Sequence, residues 1–144
     1  MAVKRISPQE ASTLLAQGYT YLDVRSVPEY EQGHPQGAVN APLMHMGAGG
    51  MSPNQEFVGV VSTAFPKDAK LVVGCKSGGR SQRAAMMLEA AGFTQLVEMR
   101  GGWGGETDPM GRVVEKGWQA LGLPSESAAS PGGSWDELRK KKAP

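Results

Sequence analysis

Short β-branched or apolar runs alternate with amphipathic segments along most of this chain, and the alternation limits its folding choices more than any other feature. Val3 to Ile6 reads as a strand. Ser7-Pro8-Gln9-Glu10 is a capping box with proline at the first helical position, opening a helix expected to reach about Gln17 and stop at Gly18. Tyr19 to Val24 reads as a second strand, Pro28 to Gln32 as one helical turn closed by Gly33, and Gly37 to Asn40 as a brief third strand. Leu43 to Pro53, rich in methionine and glycine, is expected to be a loop. Asn54 then caps a helix through about Phe65, with Phe57, Val58, Val61 and Phe65 at helical spacing. Lys70 to Gly74 is a strand, Ser81 to Ala91 a helix stopped by Gly92, and Leu96 to Met99 a last strand. Strands separated by helices pair in parallel and need cover on both faces, so the fold class is α/β with a mostly parallel sheet.

The 144 residues fit a single domain, assigned to residues 1–122, with a further helix expected between Pro109 and Leu121. From Leu123 onward Ser, Ala, Pro and Gly dominate, so residues 123–144 are expected to be a mobile tail. Within it, Ser134-Trp135-Asp136-Glu137 starts a brief helix running into Arg139-Lys140-Lys141-Lys142, a solvated charge run. Fifteen basic residues balance fourteen acidic ones, leaving no overall field for nucleic acid or an anionic membrane. No apolar run approaches the roughly 20 residues of a membrane span. The start of the chain lacks a signal-peptide core, and the expected address is the cytoplasm.

Chemistry concentrates at the one cysteine. Cys75 stands where the apolar run Leu71-Val72-Val73-Gly74 gives way to Lys76-Ser77-Gly78-Gly79-Arg80 and then to the helix from Ser81. A lone thiol excludes a disulfide framework and a cysteine zinc cage, and suits a reducing compartment. Counting from cysteine to arginine gives C-x4-R, whose glycines allow successive N–H groups to turn inward as an anion nest. With Lys76, Arg80 and a helix N-terminus adding positive potential, the thiol is expected to ionise more readily than a free cysteine. The same cradle would hold a persulfide anion. Asp23-Val24-Arg25, at another strand end, is expected to share the carboxyl-end rim where active sites of open α/β sheets gather.

Five segments carry a family resemblance: Tyr21-Leu22-Asp23-Val24-Arg25, Glu29-Tyr30-Glu31-Gln32-Gly33-His34, Gly37-Ala38-Val39-Asn40-Ala41-Pro42, Val72 to Ser81, and Gly101-Gly102-Trp103. In order and spacing, across roughly residues 4–122, they resemble the successive motifs of a single-domain rhodanese. The resemblance implies a three-layer α/β/α fold around a central five-stranded, mostly parallel sheet, and sulfurtransferase activity through a cysteine persulfide. It makes Cys75 the nucleophile and the amides of Lys76, Ser77, Gly78, Gly79 and Arg80 the cradle, with Asp23 and Arg25 holding the loop and nearby strands. Lys76 and Arg80 would orient a small anionic sulfur donor such as thiosulfate, and the Ser77 and Ser81 hydroxyls would supply further donors. The acceptor would be cyanide, a small thiol or a protein thiol. No metal and no organic cofactor is called for.

Blander readings accompany each of these. A cysteine at a strand end is often apolar filler, and here the glycine loop argues for chemistry. Two histidines without a carboxylate at ligand spacing make a poor metal site, so His34 reads as structural and His45 as an exposed loop residue. Met44, Met46 and Met51 read as flexible packing, and Trp103 as a core anchor. The competing enzyme class is a cysteine phosphatase or arsenate reductase, whose loop in relatives of this fold is one residue longer, C-x5-R. A binding module that keeps the shape and loses the thiol is the remaining alternative, against which the presence of Cys75 argues.

Overall fold

Alternating side chains on the strands divide the apolar residues into two cores, one on each face of a single sheet. The computed structural model describes residues 3–76, 79–129 and 131–140. Its central sheet takes β1 (Lys4–Ile6), β2 (Thr20–Asp23), β4 (Val39–Asn40), β7 (Lys70–Gly74) and β8 (Gln95–Met99) in the order β1-β8-β7-β2-β4. Every pairing in it is parallel. Leu71, Val73 and Cys75 meet one core and Val72 the other; Leu22 and Tyr21 divide in the same way.

Helices cover both faces. On the Cys75 side, α3 (Phe57–Ala64) brings Phe57 and Val61, and α4 (Gly79–Ala90) brings Ala84, Ala85 and Leu88. On the other side, α1 (Pro8–Ala16) contributes Ala11, and α2 (Val27–Gln32) contributes Tyr30. The capping box forms as its spacing predicts, Ser7 Oγ accepting from Glu10 N and Glu10 Oε1 from Ser7 N. This three-layer α/β/α arrangement sets the ends of β2 and β7 side by side, with Asp23 in register with Gly74. No helix among the described residues is long and apolar enough to cross a membrane.

Three segments differ from their sequence-based expectations. The Met/Gly-rich stretch pairs into a hairpin, β5 (Met44–Gly47) against β6 (Gly50–Pro53), because the two residues Ala48 and Gly49 suffice to reverse the chain and Gly50 takes φ +99°. His45 is therefore on a strand, half-buried, its ring 6.0 Å from that of Trp135.

The helix expected between Pro109 and Leu121 is instead a second hairpin, β9 (Glu106–Thr107) with β10 (Val113–Glu115). Asp108 Oδ1 accepts from the amides of Met110 and Arg112, and Gly111 at φ +84° turns the chain before a helix can nucleate.

Residues 123–129 and 131–140, expected to be mobile, pack onto the domain. Here β11 (Ser125–Glu126) pairs antiparallel with β3 (His34–Pro35), and Trp118 Nε1 donates to the Pro124 carbonyl. The expected short helix exists as α5 (Trp135–Arg139), capped by Ser134, and it buries Trp135 and Leu138 in the Cys75-side core. Two large apolar side chains one turn apart outweigh a polar composition, because burying each is worth about 1.5–3 kcal/mol.

Candidate active site

The site is assembled at the carboxyl ends of β2 and β7. Gly74 must lack a side chain, since a Cβ there would fall 1.9 Å from the Tyr21 hydroxyl oxygen. Directly after it, Cys75 is buried, leaving the sheet toward α4. Its carbonyl accepts from Trp103 N at 2.7 Å, and the Lys76 carbonyl accepts from Gly104 N at 2.9 Å. The Gly101-Gly102 turn comes so close that a Cβ on Gly102, which sits at φ +56°, would lie 2.2 Å from the Cys75 oxygen. The Gly-Gly-Trp segment is thus a clamp on the start of the cysteine loop. Trp103, read as a core anchor, is half-buried and also carries the Arg25 guanidinium 5.2 Å above its ring.

Asp23 and Arg25 form a buried ion pair, Arg25 Nη2 to Asp23 Oδ2 at 2.7 Å and Nε to Oδ1 at 3.0 Å. Arg25 Nη2 also donates to the Gly33 carbonyl at 2.6 Å, and Asn40 Nδ2 donates to the carbonyls of Asp23 and Arg25. Burial would pull the Arg25 guanidinium down, but the Asp23 hydrogen bonds and charge more than offset it, so its pKa is raised. The pair joins β2, α2, β4 and the Trp103 turn.

Of the loop itself, Lys76, Gly79, Arg80 and Ser81 are described, Gly79 opening α4; Ser77 and Gly78 lie outside the described residues. Lys76 is exposed. Arg80 forks onto Glu29 of α2, Nη1 to Oε1 at 2.6 Å and Nη2 to Oε2 at 3.0 Å. Burial alone would push the Glu29 carboxyl up, but Arg80 and the Ser26 amide and hydroxyl hold it down to about 2. Arg80 is raised in return. Ser81 is buried, its hydroxyl accepting from Cys75 Sγ at 3.4 Å and donating to Glu98 Oε2 through a short hydrogen bond. His34 stands apart, stacked on Tyr30 at 3.7 Å, with Nδ1 2.7 Å from the Tyr30 carbonyl and Nε2 3.1 Å from that of Ala128.

This arrangement has known counterparts. The model of the family described as "Rhodanese-like domain" matches residues 7–105. The chain belongs to the rhodanese-like domain family. A relative from Arabidopsis thaliana, "Thiosulfate sulfurtransferase 16, chloroplastic", is 40% identical over 122 residues, covering 85% of this chain and 92% of that protein. "Protein HIGH ARSENIC CONTENT 1, mitochondrial", also from Arabidopsis thaliana, is 33% identical over 106 residues, covering 74% of this chain and 63% of the relative. The crystal structure of Rv0390 from M. tuberculosis superposes with a TM-score of 0.74 at 26% identity, covering 89% of this chain and all of that one. The fold is accordingly a rhodanese fold, shared also with a solved rhodanese-like domain from Anabaena at a TM-score of 0.64.

Within this rhodanese-like domain, two residues at the site escaped the sequence reading. Glu29 appears there only as part of a motif, and the signal that marks it is the capping-box spacing from Ser26, which fixes its carboxylate at the start of α2. Glu98 left a plainer signal, an acid inside the apolar run Leu96 to Met99. A charged side chain in a sheet strand covered on both faces needs a partner. Its partners are Ser81 and Arg5.

Proposed function

We propose that this protein is a sulfurtransferase that carries a sulfane sulfur on Cys75. The observation that bears the most weight is the position of its sole thiol: at the end of a central parallel strand, opening a C-x4-R loop into the first turn of a twelve-residue helix. Family membership and a relative named as a thiosulfate sulfurtransferase support the same reading.

The cycle balances without a metal or organic cofactor. The Cys75 thiolate attacks the outer sulfur of thiosulfate; the new S–S bond forms as the bond to the sulfonate sulfur breaks, and sulfite leaves with the electron pair. Cyanide, a small thiol or a protein thiol then attacks the terminal sulfur, takes it, and returns Cys75 as the thiolate. The α4 N-terminus, which follows directly on the cysteine loop, would stabilise the persulfide anion. A single working cysteine suits a reducing compartment, where it meets no competing disulfide.

The test is intact mass after incubation with thiosulfate. A gain of one sulfur atom is expected on the wild-type chain and none on Cys75→Ser; equal loading of both would overturn the reading. The arsenic-named relative motivates a parallel assay of oxyanion chemistry with p-nitrophenyl phosphate and arsenate. Little turnover is expected, because C-x4-R is a residue short of the C-x5-R loop that encloses a whole phosphate, whereas thiosulfate need bring only its outer sulfur to Cys75.

A further inference from the structure

Three groups form one directional chain behind the nucleophile. Cys75 Sγ donates to Ser81 Oγ, and Ser81 Oγ donates to Glu98 Oε2. An ionised Glu98 can only accept, so with the carboxylate charged the Ser81 hydroxyl donates to it and turns a lone pair toward the Cys75 sulfur. Arg5 Nε closes the far end on Glu98 Oε1 at 2.6 Å. Glu98 is 1% exposed, so its charge is expensive unless these partners hold it.

We propose that Glu98, acting through the Ser81 hydroxyl, sets the protonation of Cys75, the two acids sharing one proton. This inference rests on the sulfurtransferase reading for its catalytic meaning. While Glu98 is ionised, it occupies the Ser81 proton, the hydroxyl offers its lone pair to the thiol, and the sulfur stays protonated. When the proton crosses, the S–H proton passes to Ser81 Oγ as the hydroxyl's own proton passes to Glu98 Oε2. The result is a thiolate and a neutral carboxylic acid, with no net change in charge. Every bond in the chain then reverses: Glu98 donates to Ser81, and Ser81 donates to the sulfur anion.

Glu98 is therefore a positioning residue that stores the thiol proton inside the chain during nucleophilic attack and returns it when the thiolate is regenerated. Burial pushes the Glu98 carboxyl up, against the lowering pull of the Ser81 and Arg5 hydrogen bonds. Other charged or titratable groups around the pair are Glu106 of β9, 4.0 Å from Arg5 Nη2, and Tyr21, Arg80 and the Asp23–Arg25 pair on the sulfur side. Glu106 and Asp23 oppose a second negative charge, Arg5, Arg25 and Arg80 favour one, and Tyr21, its pKa raised by burial, stays neutral. Burial of both acids is what disfavours a second negative charge and leaves one proton between them.

The decisive measurement is the pH dependence of Cys75 alkylation by iodoacetamide, read by intact mass, which requires no sulfur donor. Glu98→Gln removes the competing charge and leaves the Ser81 hydroxyl to donate to the sulfur. The alkylation midpoint is expected to fall by about one pH unit, making alkylation below the midpoint about tenfold faster. In a Ser81→Ala background the same Glu98→Gln change is expected to shift the midpoint less than half as far. An unchanged or raised midpoint in folded Glu98→Gln, or an equal shift without Ser81, overturns the proposal. Should Glu98→Gln fail to fold, Ser81→Thr must keep the wild-type profile and Ser81→Ala must move it; a wild-type profile in Ser81→Ala overturns it equally. Sulfur loading of the wild-type chain by thiosulfate, measured alongside, separates this outcome from failure of the sulfurtransferase reading.

Discussion

Asp23 and Glu98 are both fully buried acids on strands of the same sheet, and both hydrogen-bond an arginine. They differ in what completes the shell. Asp23 has both oxygens on the Arg25 guanidinium and one on the Arg25 amide, and Arg25 in turn closes on Gly33. Glu98 has one oxygen on Arg5 and spends the other on a hydroxyl that leads to the thiol. A carboxylate enclosed by fixed opposite charge is scaffold. One that ends in a hydroxyl can exchange a proton.

The largest effects should come from removing each charge in turn. Asp23→Asn leaves Arg25 buried without a counter-ion and is expected to cost about 3–5 kcal/mol. Glu98→Gln has the opposite sign. Because burial raises the Glu98 carboxyl, the folded chain holds that proton more tightly than the unfolded chain does, and stability from this group is lost as pH rises above its ordinary value of 4.5. Near neutrality the neutral amide should therefore match the wild type or exceed it by less than about 1 kcal/mol. Urea unfolding of both variants at pH 7 checks this. Equal destabilisation by the two would erase the distinction.

A smaller effect tests the clamp on the Cys75 carbonyl, which acts from the scaffold side of the nucleophile. Gly102→Ala puts a methyl 2.2 Å from that oxygen at φ +56°, so the turn must move or the strand end must yield. The expected cost is roughly 1–3 kcal/mol, with slower sulfur loading because the loop shifts with its anchor. Thermal unfolding together with a loading time course measures both. Wild-type values for both would mean that the Gly-Gly-Trp turn does not hold the loop.

Much of this was legible in local pattern. The capping box at Ser7, the strand Lys70 to Gly74 and the helix beyond the cysteine depend on near neighbours, and the structure forms them at those positions. What escaped depends on partners distant in sequence. Trp135 and Leu138 are two apolar residues in a polar tail until β4 and α3 provide the surface that buries them. Between Pro109 and Leu121 the helical reading gave too little weight to Pro109, Gly111 and Gly117, and to the preference of Val113 and Val114 for a strand. The loop sequence alone offers Arg80 to an incoming anion and gives no sign of Glu29, which α2, 51 residues away in sequence, brings onto it. Glu98 became intelligible only when β8 met α4 and aligned it with Ser81.

Glu29 sharpens the comparison as the intermediate case, a carboxylate forked by Arg80 but 17% exposed. Its carboxyl lies at about 2 in the fold against an ordinary 4.5, so its contribution to stability is complete above about pH 4.5 and is lost as pH falls toward 2. Solvent screening keeps the gain small, and Glu29→Gln is expected to cost about 1 kcal/mol at pH 7. The gap between wild type and variant should then close as acid is added, because protonated Glu29 and glutamine make similar contacts. Urea unfolding at pH 7, 4 and 3 follows that convergence. A gap that stayed constant to pH 3 would mean that the Arg80 fork contributes shape and not charge, and would move Glu29 from the intermediate position to the scaffold side with Asp23.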